Sequence, residues 1–545
     1  VVHCAGLFHG MAAFLEFRME SFNPLESEPS SLPPPADDSV ELGPSPEIRA
    51  DTLADSVVIL LTLTVLQRGI GFVRSVLFCR WLPAEELGQW DITFGFLMLA
   101  APLAILSLPS CLSRYLDYYR QRGIARSLIA RVTGATLLLA VVSAIVLFVG
   151  REWFSFLIYG TPDETGLVTL LAVVLVITIV THLIIELLTA LCYVRALSAV
   201  HLANSLVFAV LGAVLVLGVG RNATNVVLAY AGACVLSTVG AVWYLRPTWR
   251  AMPRAAQPLA REEFWGKILP YVRWIWLTSL MANLFVIADR YMIIHFSPQG
   301  PEAGIALVGQ YHSSRVVPLL LISIAMLLGT MITPHLSRDW ESGRRDRARL
   351  RLNLFLKLLG LGLAVGAVVV ILAEPILFDW VFKGKFNEGR DVLPYTLAYC
   401  LWFGMTLAAQ NYLLCVEKGR WGSLALLLGL VVNIALNLVL LPRYGLAGAV
   451  WATTIANLLA LVLMFAFNRI LGFRLDPATV IVVLAPGLLC LGVWWSAWAL
   501  LAVVCAMVAL APRARWVLSP DERQLIGEAL GSYADRLRRF RRNSR

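Results

Sequence analysis

Apolar residues along this chain come in long blocks rather than in alternation or helical stripes. Leu137–Gly150, "LLLAVVSAIVLFVG", carries no charge, and comparable runs recur from residue 56 to residue 511. Apolar runs of about 18 or more residues are the mark of bilayer-crossing helices. Inside lipid the backbone finds partners only in helices or closed barrels, and a barrel would show alternating segments of about ten residues. The pattern therefore predicts an all-α polytopic membrane protein with about fourteen spans. Six lie near 56–79, 90–110, 127–149, 165–188, 200–219 and 224–245. Six more lie near 269–296, 304–334, 353–373, 391–415, 421–441 and 445–468. The last two, near 478–494 and 496–511, are short enough to read either as a hairpin or as one long helix.

The segments between and around these runs set the domain plan: a leader (1–54), an N-lobe of spans 1–6 (55–250) and a connector (251–268). A C-lobe of spans 7–12 (269–470), spans 13–14 (471–511) and a basic tail (512–545) follow. The leader is rich in Pro, Ser and acids, a composition that cannot bury a core and reads as disordered. Its first residues lack a clean signal sequence, and Met19 is the expected start. Ser519-Pro520 is a helix start, with serine as N-cap and proline at the first helical position.

Composition adds three exclusions. Residues are 59% hydrophobic and 15% charged, and the longest external loop is about 18 residues, so there is no room for a soluble catalytic domain. The nine cysteines are scattered without CxxC spacing, which implies neither disulfides nor a metal site. Nothing points to nucleic acid. The net charge of +10 is less informative than where it falls. Lys and Arg crowd the loops after spans 2, 6 and 8 and are sparse after spans 1, 3, 5, 7 and 11. That bias places the even-numbered loops and both termini in the cytoplasm. The loop after span 9, "EPILFDWVFKGKFNEGRD", breaks the pattern with three cations balanced by acids.

A repeat underlies the two groups of six. "LGQWDI" (Leu87–Ile92) opens span 2 and "VGQYHS" (Val308–Ser313) opens span 8; "PSCLSR" (Pro109–Arg114) and "TPHLSR" (Thr333–Arg338) close them. An even number of spans per unit keeps both units in one orientation, which predicts parallel lobes around a central cavity suited to alternating access.

Charges inside spans are the candidate chemistry. Arg68 lies about 16 Å into span 1, near mid-depth of a ~30 Å hydrocarbon layer. Arg74 lies about 9 Å further along. A central arginine costs about 2.5–3.5 kcal/mol on insertion scales, so Arg68 is expected to face a cavity; Arg74 faces the same cavity or snorkels. Asp289 and Arg290 are neighbours in span 7 and point different ways, so they need not pair. Each reads either as an interhelical ion-pair partner or as a ligand group, Arg290 for phosphate and Asp289 for an ion or an arginine. Arg315 in span 8 carries the same two readings. Asp91 at the start of span 2, and Glu186 one turn after His182 in span 4, complete the coupling or ion-pair candidates. Asn433, Asn437 and Asn457 read as interhelical hydrogen-bonding residues. The "NAT" sequon at Asn222 reads as chance.

Three stretches are similar to one known family. "QRGIGFVRSVLFCRWLPAEELGQW" (Gln67–Trp90), "ANLFVIADRYMIIHFSPQGPEAGIALVGQYHSS" (Ala282–Ser314) and "NIALNLVLLPRYGLAGAVWATTIAN" (Asn433–Asn457) resemble the multidrug/oligosaccharidyl-lipid/polysaccharide exporter superfamily, in its polysaccharide-flippase branch. The resemblance implies two six-helix lobes and two extra helices. It also implies translocation of a polyprenyl-pyrophosphate-linked oligosaccharide across the bacterial cytoplasmic membrane. It makes Arg68, Arg74, Arg290 and Arg315 candidates for the pyrophosphate. It implies a monomer with no cofactor, coupled to a proton, sodium or the membrane potential, working beside a polymerase and glycosyltransferases among membrane lipids. A lipid II flippase, a cation-coupled multidrug antiporter and a membrane-embedded polymerase or ligase are the alternatives.

Overall fold

The computed structural model describes residues 53–253 and 261–527. Most of the leader, part of the connector and the arginine-rich end of the tail lie outside these residues. Every regular element among them is helical. The N-terminal half comprises α1 (Leu53–Trp81), α2 (Ala84–Ala104), α3 (Cys111–Gln121), α4 (Ala125–Val149), α5 (Arg151–Tyr159), α6 (Thr165–Ala190), α7 (Val194–Gly218) and α8 (Ala223–Ala251). The C-terminal half comprises α9 (Arg261–Phe296), α10 (Pro301–Glu341), α11 (Arg345–Pro375), α12 (Asn387–Cys415), α13 (Gly419–Ile470), α14 (Pro477–Leu484) and α15 (Val493–Leu510).

Ten helices among the described residues are long and apolar enough to cross a membrane. One of them, α13, is 52 residues long and breaks at Gly445, where φ is 57° and ψ −137°. A left-handed φ suits glycine. The two arms fold back on each other: Asn433 donates to the Thr453 hydroxyl at 3.2 Å, and a Cβ on Gly429 would touch Ala456 and Ala460. Spans 11 and 12 are thus the arms of one hairpin. The terminal pair also divides, at Gly492 (φ 93°), but its segments Pro477–Leu491 and Trp495–Leu510 are shorter. The expected total of fourteen adds α1, the second arm of α13 and this short pair to the ten.

Within the N-terminal half α1 packs on α7, α7 on α8, and α6 on α4 and α8; within the C-terminal half α12 packs on α10 and α13, and α11 on α15. The halves meet where α2 lies along α10 and α9. Helix α9 starts inside the stretch expected as connector, and its first turns pack on the N-terminal half. Phe264, Ile268 and Val272 are buried against Leu112, Leu116 and Tyr119 of α3. Its remainder packs on α10 and α13.

Large apolar side chains such as Leu138, Val149, Val214 and Trp243 stand exposed on the outside, as lipid-facing positions do. Polar residues instead sit inside: Ser205, Asn225, Asn437 and Asn468 are buried. Asn222 caps α8, its side chain accepting from the Asn225 amide at 2.9 Å, a local structural use of the sequon residue. Ser519 and Glu522 form the reciprocal capping pair, Glu522 N–H to Ser519 Oγ at 3.2 Å and Ser519 N–H to Glu522 Oε2 at 2.8 Å.

Candidate functional site

A cavity of about 210 Å³ opens between α1, α6, α7 and α8 of the N-terminal half and α10 of the C-terminal half. Arg68 and Arg74 both line it. Arg68 reaches across the halves, its Nη1 3.4 Å from Ser323 Oγ on α10. Arg74 lies over the Phe208 ring, 4.1 Å from its centre, a position that offsets part of the cost of holding a guanidinium among apolar groups. The wall around them is polar but uncharged or basic: Gln67, Asn204 and Ser237, the rings of Phe94 and Tyr230, and His182, His201 and His312. No carboxylate is among the lining residues.

One end of this cavity is closed by direct contact between α2 and α10. A Cβ on Gly88 would overlap the Ile305 carbonyl, and one on Gly309 the Ala84 carbonyl. Only glycine permits the two backbones to approach this closely. These are the glycines of the two matching stretches, "LGQWDI" and "VGQYHS", brought face to face.

One turn deeper, Asp91 of α2 meets three groups of the other half. Arg290 Nε stands 2.7 Å from its carboxylate, His312 Nδ1 2.8 Å and Arg315 Nη1 3.6 Å. All but His312 are buried. A buried carboxylate is tolerated when paired; two guanidiniums face this one, and Arg315 is also within electrostatic reach of Asp289. Arg290 and Arg315, candidates for phosphate or for interhelical pairing, are therefore placed as partners of Asp91 and are not among the cavity-lining residues. His312 is both, hydrogen-bonded to Asp91 and lining the cavity.

Loops strap the same face, the one carrying the odd-numbered loops. Arg80 donates to the carbonyls of Trp380 and Val381 at 3.2 and 3.1 Å. Lys385 donates to those of Arg80 and Leu82 at 2.9 and 3.3 Å. At the opposite, even-loop face the halves touch through the beginning of α9. Arg114 lies 4.7 Å over Tyr271, Lys267 lies 3.5 Å over Tyr118, and Trp276 Nε1 donates to the Leu103 carbonyl at 3.3 Å.

Asp289 is not on the cavity wall and makes no direct contact with Asp91, though Arg315 of the cluster is within its electrostatic reach. It turns into the C-terminal half, where Tyr311 donates to it at 3.3 Å and Tyr311 and Tyr399 share a 2.9 Å hydrogen bond. Asn433 and Thr453 of the α13 hairpin adjoin it. Neighbouring helix positions point about 100° apart, which is why Asp289 and Arg290 find separate partners. Glu186 is half-buried and accepts a 3.5 Å hydrogen bond from Ser113, one turn from His182 but away from the cavity. Among the described residues no group of three or more His, Cys, Asp and Glu could hold a metal, and the eight described cysteines are free.

Sequence reasoning missed His312, His201 and Ser323. For His312 a signal existed: it follows Gly309 by three residues, as Asp91 follows Gly88.

The fold matches solved structures of transporters. "Lipid II flippase MurJ, inward closed conformation" aligns with a TM-score of 0.64 and 14% identity, covering 86% of this chain and 100% of that one. A multidrug resistance MATE family transporter of the MOP superfamily, inward-facing, gives 0.55 and 16%, covering 76% and 97%. A MOP superfamily transporter from Pyrococcus furiosus, described by the reversed polarity of its binding pocket, gives 0.56 and 15%, covering 78% and 96%. No curated protein matches the chain. The polysaccharide biosynthesis protein family matches residues 53–340, a little over half of the sequence. With its paired helical halves on a fold shared with these solved structures, this chain belongs to the polysaccharide biosynthesis protein family.

Proposed function

We propose that the protein flips a polyprenyl-pyrophosphate-linked oligosaccharide across the bacterial cytoplasmic membrane, with the even-loop face and both termini cytoplasmic. The observation that carries this reading is the composition of the cavity: two arginines, three histidines, hydroxyls, amides and aromatic rings, without a carboxylate among them. Guanidinium forks suit phosphate oxygens. Hydroxyl and amide groups suit sugars, and the polyprenyl tail stays in lipid. A drug antiporter taking cationic compounds calls for the opposite charge. Pocket polarity also sets apart the Pyrococcus furiosus transporter on this fold.

At about 210 Å³ the cavity is below the ~300–1,000 Å³ of pockets that enclose a drug-sized ligand. Loading therefore requires the halves to part at the even-loop face, and release requires the Gly88–Gly309 contact to open. Asp289, set among Tyr311, Asn433 and Thr453 within one half and off the cavity wall, is the position for a coupling proton or sodium ion. Glycosyltransferases and a polymerase would supply and consume the substrate.

The test is translocation in proteoliposomes. A fluorescent polyprenyl-pyrophosphate oligosaccharide should flip faster than lipid II, the cargo named for the MurJ flippase. Preference for lipid II would transfer the chain to that function, and flipping of neither would sink the reading. In the same assay Asp289→Asn should abolish the dependence on a proton or sodium gradient while pyrophosphate binding persists. Unchanged gradient dependence would remove Asp289 from coupling.

A further inference from the structure

Asp91 and His312 are repeat-related positions, each three residues past its glycine, and they are hydrogen-bonded to each other across the boundary between halves at 2.8 Å. Three residues are about 4.5 Å of helix, so the pair sits about one turn inward of the Gly88–Gly309 contact. Movement of either half against the other must separate or slide this pair. His312 also lines the cavity beside Arg68 and Arg74. With Nδ1 on Asp91, Nε2 is the ring nitrogen left for a cavity ligand.

We infer that the Asp91–His312 pair is the switch by which an anionic headgroup in the cavity releases the contact between the halves at the odd-loop face. This rests on the anion reading proposed above. A ligand shifts a conformational equilibrium only by its difference in affinity for the two states. A phosphate that gains its bond to His312 as the ring swings off Asp91 has such a difference. Loss of His312 leaves Asp91 with Arg290 at 2.7 Å and the more distant Arg315 at 3.6 Å. The glycine contact is then held by fewer ties. His312 is on this account a positioning residue that couples occupancy to opening, beyond any share it takes in holding the headgroup.

A native reporter lies beside the switch. Cys79 is fully buried and within electrostatic reach of Asp91 and Lys385, while Cys192 is exposed near the even-loop face and reports leakage or inverted insertion. The experiment uses the full chain in proteoliposomes, farnesyl pyrophosphate as probe, and a membrane-impermeant maleimide on the odd-loop side. The modified cysteine is located by mass spectrometry, and probe binding is measured separately. In the wild type the probe should raise Cys79 labelling about fivefold or more, the lower end of ordinary coupling between sites. His312→Ala should label strongly without probe and show no further rise. His312→Asn keeps an amide N–H that can donate to Asp91 but lacks a second nitrogen for the ligand; it should bind the probe more weakly and stay closed and unresponsive even at probe concentrations that restore full occupancy. A wild-type response in His312→Asn would reduce His312 to a structural prop and overturn the inference. Bound probe with flat Cys79 labelling in the wild type would overturn it too, leaving the proposed function standing. Failure of the wild type to bind the probe would overturn the anion reading and this inference together. Should His312→Ala fail to fold, the asparagine variant alone decides.

Discussion

Arg68 and Arg74 show how a residue's depth and its surroundings divide the information. Both are permanent charges inside an apolar run, and the cost of exposing them to lipid was enough to point them inward. Arg68 is the one that touches both halves, through Ser323, while Arg74 rests on a ring of its own half. Arg68→Ala should therefore lower the flipping rate on the order of 10–100-fold, the loss of one charge-assisted hydrogen bond of about 1.5–3 kcal/mol. Arg68→Lys should recover part of that by keeping the charge without the fork. Rates in proteoliposomes with a fluorescent lipid-linked sugar check both, and a fully active Arg68→Ala would remove it from headgroup capture. Arg290 and Arg315 were legible only by depth. Nothing in a linear sequence reveals that one carboxylate on another helix claims both, because the pairing depends on how α2 crosses α9 and α10. His312 was harder still: a single histidine near the start of a span costs little, so no energetic anomaly marks it, and only its offset from Gly309 does.

At the scale of elements, the apolar runs predicted the helices well because lipid imposes one rule on every backbone group. The ends were less legible. Helix α9 begins within the expected connector because its first turns bury Phe264, Ile268 and Val272 against α3, a packing decision invisible to hydropathy. The loop after span 9, which broke the charge pattern, is explained by its partners: Lys385 holds the carbonyls of Arg80 and Leu82, and Arg390 pairs with Glu374 and Asp379. Lys385 and Arg390 act as ties between elements. Two helix contacts yield predictions. Gly88→Val would drive a branched side chain into the Ile305 carbonyl and hold α2 off α10. Cys79 should then become accessible from the odd-loop side without ligand, and closed labelling as in the wild type would show that the glycine contact is dispensable. Near the C-terminus, Lys357 of α11 is buried between Glu522 at 2.7 Å and Asp476 at 3.0 Å. Glu522 is wholly buried as well. Lys357→Met strands that carboxylate, a loss of about 3–5 kcal/mol for a broken buried pair. The thermal midpoint in detergent should fall, and adding Glu522→Gln should restore part of it.

For the whole molecule, the decisive feature is the asymmetry between its two faces. At the odd-loop face the halves are joined by a backbone-to-backbone glycine contact, a buried ion cluster and a loop strap. At the even-loop face they touch through the start of α9, which buries Phe264, Ile268 and Val272 against α3 and adds cation–ring contacts and two hydrogen bonds to carbonyls. Ring contacts of that kind are worth about 0.5–1 kcal/mol each where exposed. On the proposed function, loading requires this apolar packing at the even-loop face to part, and release requires the glycine contact and the ion cluster at the other face to open. If opening of α2 from α10 is an obligatory step, joining them must stop transport without preventing loading. Ala84 and Ile305 flank the glycine contact on α2 and α10, so cysteines at these two positions, in a chain whose nine native cysteines are replaced, can be bridged by a short bis-maleimide with a reducible link. The bridged protein should bind farnesyl pyrophosphate added at the even-loop face with affinity within about threefold of the unbridged one, well inside one factor-of-ten step in free energy. Its flipping rate should fall by at least about tenfold and recover when the link is reduced. Undiminished flipping with the bridge intact would mean that substrate passes without separation of the halves, and alternating access about the Gly88–Gly309 contact would have to be abandoned.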